Sequence, residues 1–156
     1  DPAAAFETAF AALQAHYEAH IADNTRPFDG CLEALDSLLA RGCKLAVITN
    51  KVELNSLKLL RELGMLDRFE TVIGGDTLGP GRSKPAPDMI EEAMARCGGG
   101  RLAMIGDSSF DTRAAQAAGV PAVVCSFGYL DQPTAELGAD AVIDHYGELV
   151  GTLERL

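Results

Sequence analysis

A chain of 156 residues, 47% of them hydrophobic, has the length of one domain and enough apolar material for a sizeable core. Its formal net charge of −10 excludes a broad nucleic-acid or anionic-membrane surface and leaves room only for a local basic pocket taking a small anion. No apolar run approaches the ~20 residues of a membrane helix, and four widely spaced cysteines (Cys31, Cys43, Cys97, Cys125) match no metal-ligand pattern, so small buried thiols in a reducing cytoplasm are expected.

Residues 3–21 place Phe6, Phe10, Leu13, Tyr17 and Ile21 at steps of three and four, one apolar stripe along a helix. The stretch "DNTRPFDG" (23–30) is polar, carries Pro27 and Gly30, and reads as a linker or hinge. A second amphipathic helix covers 31–41 and stops at Gly42. The run "KLAVIT" (44–49) is continuous enough for a parallel strand covered on both faces. A helix over 52–63 then closes at Gly64.

The alternation continues through a strand at 71–75, a helix at 88–97, a strand at 102–106 and an Ala-rich helix at 110–118 ended by Gly119. Strands at 122–126 and 141–143 and a last helix at 146–155 complete it. Strand–helix repetition with short connections predicts a doubly wound, Rossmann-like α/β fold with a parallel sheet. Ligands of such sheets sit beyond the carboxyl ends of the strands, so the strand tips are where chemistry is expected.

At the first tip stand Thr49, Asn50 and Lys51, directly before a helix. A hydroxyl beside unpaired N–H groups at a helix start suits a phosphate; a plain helix cap is the other reading of Thr49. In "GRSKPAPD" (81–88), Pro85 restricts Lys84 to an extended backbone, which aims a point charge at a phosphoryl oxygen or a carboxylate, unless Lys84 is one more surface lysine. Asp107 and Asp111 follow the strand ending at Gly106, and their spacing of four puts both on one side of the opening turn. Paired hard oxygen donors beside a phosphate site suit Mg²⁺; a turn residue and a helix cap are the alternatives.

Thr49 after an apolar strand, Lys84 in "SKPAPD", and Asp107 with Asp111 in "GDSSFD" resemble the second, third and fourth motifs of the haloacid dehalogenase-like hydrolases. The entry "RPFDGCLEAL" (26–35) and the tail "GYLDQPTAELGADAVIDHYGELV" (128–150) look like the phosphoglycolate phosphatase branch. The resemblance runs from Arg26 onward and implies Mg²⁺-dependent phosphomonoester hydrolysis through an aspartyl-phosphate. It gives Thr49 and Lys84 catalytic roles on the phosphoryl group and makes Thr49, Asn50 and Lys84 the phosphate-binding set. Asp107 then ligates the metal, and Asp111 supports the metal shell or orients Lys84. The implied substrate is a small phosphorylated metabolite, 2-phosphoglycolate first, with no nucleic acid and no membrane involved.

The family's first motif, DxDGT, supplies nucleophile and general acid and occurs nowhere in these residues. It normally lies on the central strand, between those ending at Thr49 and Gly106. The expectation is therefore a cap remnant and hinge over 1–25 and an incomplete core over 26–156, with the central strand missing. Two apolar strand edges would be left unpaired and open to self-association, and the chain alone is predicted inactive. A pseudo-phosphatase that binds an anion or metal without turnover is the rival. A receiver domain fits poorly, because its phosphorylated Asp precedes Thr and Lys. His16 and His20 share a helix-turn spacing, yet no third ligand accompanies them, and a solvated face is the better reading.

Overall fold

Asp1 opens the first helix by accepting the Ala3 N–H at 3.1 Å, and Pro2 follows in the first turn, where a helix has no use for its N–H. The computed structural model describes all 156 residues. This helix, α1 (Pro2–Ala19), buries none of its residues, so Phe6, Phe10, Leu13 and Tyr17 form a stripe that faces solvent. Ile21, past the helix end, is the member of the stripe that is buried. Helix α1 touches the core where Lys51 donates to the Tyr17 hydroxyl and lies 4.9 Å from its ring centre, and where Lys58 donates to the Glu18 carbonyl. No helix is long and apolar enough to cross a membrane.

The remaining elements alternate as the sequence predicts: α2 (Cys31–Ala40), β1 (Ala46–Ile48), α3 (Glu53–Glu62), β2 (Thr71–Ile73), α4 (Asp88–Arg96), β3 (Met104–Gly106), α5 (Ser109–Ala118), β4 (Ala122–Cys125), β5 (Ala141–Ile143) and α6 (Leu149–Leu153). The strands are three or four residues long, shorter than their apolar runs except for β5, which matches its run at 141–143. The last helix is also shorter than expected, because a 3₁₀ turn occupies Tyr146–Glu148.

Every strand pair is parallel, but the sheet is in two pieces. β1 pairs with β2, Ala46 opposite Thr71; separately, β3 pairs with β4, Met104 opposite Ala122, and β4 pairs with β5. No ladder joins β1 to β3, so each has one free edge, as the missing central strand requires. The consequence is visible in burial. All three residues of β1 are only half-buried, whereas all four of β4 are buried. The strand expected at 44–49 is packed on both faces, by Leu45 on one and by Ala46 and Ile48 on the other, and has one edge free.

Side-chain packing joins the two pieces on both faces. On one, Ala34 and Leu38 of α2 and Leu149 of α6 pack with Val123, Cys125 and Ile143, and Leu45 and Ile105 lie against them. On the other, Ile90 of α4 meets Met104, Ala114, Ala115 and Ala122, while Met89 and Ala93 of α4 meet Ile73. Ile48 packs against both of these groups. The alternation of Val123 and Cys125 against Ala122 is the two-residue period of a strand covered on both sides. Of the cysteines only Cys125 is buried; Cys31 and Cys97 are half-buried and Cys43 is exposed, and all four are free thiols.

Candidate active site

The free edges of β1 and β3 face a cavity of about 220 Å³. Ile48 lines it from one side and Met104, Ile105 and Gly106 from the other, with Lys84 and Asp107 also on its wall. A larger cavity of about 580 Å³ opens between residues 24–29 and Phe127, Tyr129 and His145, and it contains none of the predicted site residues. The smaller one has Lys84, Asp107 and Asp111 on its wall, and Thr49 and Asn50 follow Ile48 at its edge.

Thr49 follows β1 and donates its N–H to Ile73 O at 3.0 Å, which continues the ladder by one residue. Its Oγ1 accepts the Lys51 N–H at 3.1 Å, leaving the hydroxyl proton to donate elsewhere. The N-cap of α3 is Val52, so Thr49 is not the helix cap. The Asn50 N–H makes no hydrogen bond within the chain and remains available to an anion. The Asn50 side chain is engaged: Nδ2 donates to Lys84 O at 2.9 Å and Oδ1 accepts the Lys84 N–H at 3.0 Å. Its expected contact with phosphate therefore falls to the backbone.

Lys84 sits in the loop before α4, and its peptide bond to Pro85 is cis. Its Nζ donates to Asp111 Oδ1 at 2.6 Å and to Ile48 O at 3.3 Å, so it reaches across from the β1 half to α5. The Lys84 and Asp111 side chains are 11% and 6% exposed. Lys84 is thus no surface lysine.

Asp111 folds back over the end of β3. Its Oδ2 accepts the N–H groups of Asp107 and Ser108 at 3.1 and 3.0 Å and the Ser108 hydroxyl at 2.7 Å. This return requires Gly106, since a Cβ there would lie 2.4 Å from Asp111 Cγ. Burial works against the charge of Asp111, but the Lys84 ammonium and the hydrogen bonds from Ser108 and Asp107 outweigh it and hold the carboxyl below the usual range. Asp111 thus accepts one hydrogen bond, from an ammonium, on Oδ1 and three on Oδ2.

Asp107 differs. Its Oδ2 accepts the Tyr129 N–H at 2.8 Å, and its Oδ1 accepts no hydrogen bond from the chain. Gly128 presses against it so closely that a Cβ would lie 2.4 Å from Asp107 Cβ. One half-exposed carboxylate with a free oxygen at a strand tip fits Mg²⁺, which takes one or two protein carboxylates and fills its shell with water and phosphate. Of the two alternatives expected for Asp111, support of a metal shell or orientation of Lys84, its hydrogen bond from Lys84 Nζ matches the second.

Asp131 escaped the sequence reading. It accepts the Ser109 N–H at 2.8 Å and the Ser109 hydroxyl at 2.6 Å, pinning the loop after β4 onto the start of α5. Those hydrogen bonds lower its carboxyl from the ordinary value. A lone acid in an irregular loop carries no periodicity to reveal it; the one signal is its proximity in sequence to the Gly128–Tyr129 pair. His20 bonds Asp23 at 2.6 Å and packs on His16 with ring centres 4.4 Å apart, far in sequence from the strand tips.

The profile of the haloacid dehalogenase-like hydrolases matches residues 3–125. A phosphoglycolate phosphatase of Thiobacillus denitrificans is 40% identical over 149 residues, which is 95% of this chain and 65% of that protein. One from Caulobacter vibrioides is 45% identical over 132 residues, 83% of this chain and 55% of that protein. The chain thus spans less than two thirds of the length of these curated relatives. Among solved structures, a predicted phosphoglycolate phosphatase from Haemophilus somnus superposes with a TM-score of 0.82 at 27% identity, covering 88% of this chain and 61% of that one.

Proposed function

The chain belongs to the haloacid dehalogenase-like hydrolases, and on that footing we propose that it forms the phosphate-handling wall of a phosphomonoester hydrolase. The substrate is a small phosphorylated metabolite, and the names of the curated relatives favour 2-phosphoglycolate. One observation carries this reading: a lysine ammonium, nearly buried, spans the space between the tips of β1 and β3. A buried cation there is useful for stabilising an anion that arrives between those tips.

The residues divide the work. The Thr49 hydroxyl and the Asn50 N–H donate to phosphoryl oxygens. Lys84 offsets charge on the phosphoryl group and on its attacker, and Asp111 keeps that ammonium in place. Asp107 would hold Mg²⁺, which when bound neutralises further negative charge at the phosphate. The nucleophile is a carboxylate on a strand that these 156 residues do not supply and that fills the slot between β1 and β3; no DxDGT pattern occurs in the chain. Its oxygen bonds to phosphorus as the ester P–O bond breaks, and the departing alcohol takes a proton from an acid on the same segment. Water then attacks phosphorus, giving a proton back to that acid, and phosphate leaves as the carboxylate is restored.

Residues 1–25 are on this reading the end of a helical cap and its hinge, and 26–156 the core. The two free edges make self-association the expected side reaction of the isolated chain. The test compares the 156-residue chain with the same chain expressed in its complete reading frame. Phosphate release from 2-phosphoglycolate with Mg²⁺ is expected only from the longer product. Turnover by the chain alone, its purity checked by intact mass, overturns the proposal; a longer product that binds phosphate without turnover supports a binding role instead.

A further inference from the structure

The side chain of Asn50 makes two hydrogen bonds, both to the backbone of Lys84. The N–H and C=O of Lys84 find no partner in any ladder; the one amide satisfies both. The Asn amide sets an acceptor and donors on adjacent atoms of one planar group; Gln does the same but is a methylene longer. An aspartate would keep the bond from the Lys84 N–H and set a negative oxygen against the Lys84 carbonyl.

Asn50 is itself fixed from behind. The chain leaving β2 passes so close that a Cβ on Gly75 would lie 2.5 Å from Asn50 O and 3.0 Å from Asn50 C. Gly75 also donates its N–H to Lys51 O at 2.9 Å. The turn after β1 is therefore clamped against β2, and through the Asn50 amide it holds the loop that carries Lys84.

We infer that Asn50 is a positioning residue for Lys84: its amide grips the Lys84 backbone so that the ammonium is held in register with the Thr49–Asn50 turn. The inference rests on Lys84 being the charge that meets the phosphoryl group. It adds that the anion-binding turn and the cation are registered by one residue, with its backbone facing the anion and its side chain the lysine loop.

The test reads Lys84 directly and needs no turnover, so it stands apart from whether the protein is a phosphatase. The folded 156-residue chain is acetylated at neutral pH with an N-hydroxysuccinimide ester, and each lysine is followed by mass spectrometry. In Asn50→Ala the Lys84 rate is expected to rise about tenfold as two hydrogen bonds are lost, with Lys44 and Lys58 unchanged. Asn50→Asp, which keeps the size and one of the two bonds, should fall between Asn50→Ala and the natural protein, and it carries the test if Asn50→Ala does not fold. The inference is overturned if Lys84 stays within about twofold of the natural rate in the folded variants. It is equally overturned if Lys44 and Lys58 speed up alongside it. Titration with inorganic phosphate completes the experiment: weakened binding in Asn50→Ala with an unchanged Lys84 rate assigns the amide to the anion instead.

Discussion

Lys84 Nζ lies 2.6 Å from Asp111 Oδ1, an ion pair almost closed to water that ties the β1 half of the molecule to α5. Removing one member strands the other. Asp111→Asn should cost about 3 kcal/mol at neutral pH, since it leaves a buried ammonium without its counter-charge. Urea unfolding measures it. The pH dependence follows with a definite sign. A carboxyl held below its ordinary value stabilises the fold fully above about pH 4 and loses that contribution as pH falls through the lower folded value. The natural protein should therefore lose stability more steeply than Asp111→Asn between about pH 4 and pH 2.

Gly128 gives a second prediction, directed at Asp107. A methyl group at this position would collide with Asp107 Cβ and Oδ2, at 2.4 and 2.5 Å. Gly128→Ala should turn the carboxylate away while leaving it charged. On the function proposed above, the Mg²⁺ concentration for half-maximal phosphate release by the complete reading frame should rise by about 10- to 100-fold, as for other groups that orient a metal ligand. A Mg²⁺ titration of the two proteins decides it.

The packing that bridges the two half-sheets can be weakened at one residue. Ile90 is 1% exposed and lies against Met104, Ala114, Ala115 and Ala122, with Ile48 beside it. Ile90→Ala should destabilise the chain by about 2–5 kcal/mol, the usual range for such a truncation in a core. The denaturant midpoint reports the loss. Leu54→Ala, on a side chain that is 71% exposed, should change it by less than about 0.5 kcal/mol.

The thiols should separate by reactivity. Burial pushes the Cys125 thiol up to about 11, an effect larger than the opposing hydrogen bond from Tyr146. Cys43 is exposed. At pH 8 iodoacetamide should label Cys43 more than about tenfold faster than Cys125, because the thiolate is the reacting form and must be reachable. Peptide mapping over a time course shows the order.

Much of this architecture can be read from residue types. Steps of three and four locate the helices, apolar runs locate the strands, and the order Thr49, Lys84, Asp107 locates the tips. What spacing does not carry is the fate of each polar atom. The position of Asn50 beside Thr49 does not show that its side-chain amide is spent on Lys84, 34 residues away. The spacing of Asp107 and Asp111 puts both on one side of a turn, but it does not show that four donors, Lys84 among them, meet the Asp111 oxygens. Asp131 has no pattern at all and acts through a loop. By contrast, the free edge of the run at 44–49 is legible, because the sequence lacks the strand expected between Thr49 and Gly106.

That free edge also determines how the halves can move. Within each half, directional hydrogen bonds fix the register; between β1 and β3 there is no backbone hydrogen bond. The halves are joined by apolar contacts and by the Lys84–Asp111 and Arg68–Asp36 ion pairs. Apolar contact is non-directional and tolerates sliding. A strand entering the gap between Thr49 and Asp107 would add rungs on both sides and break no rung of either ladder.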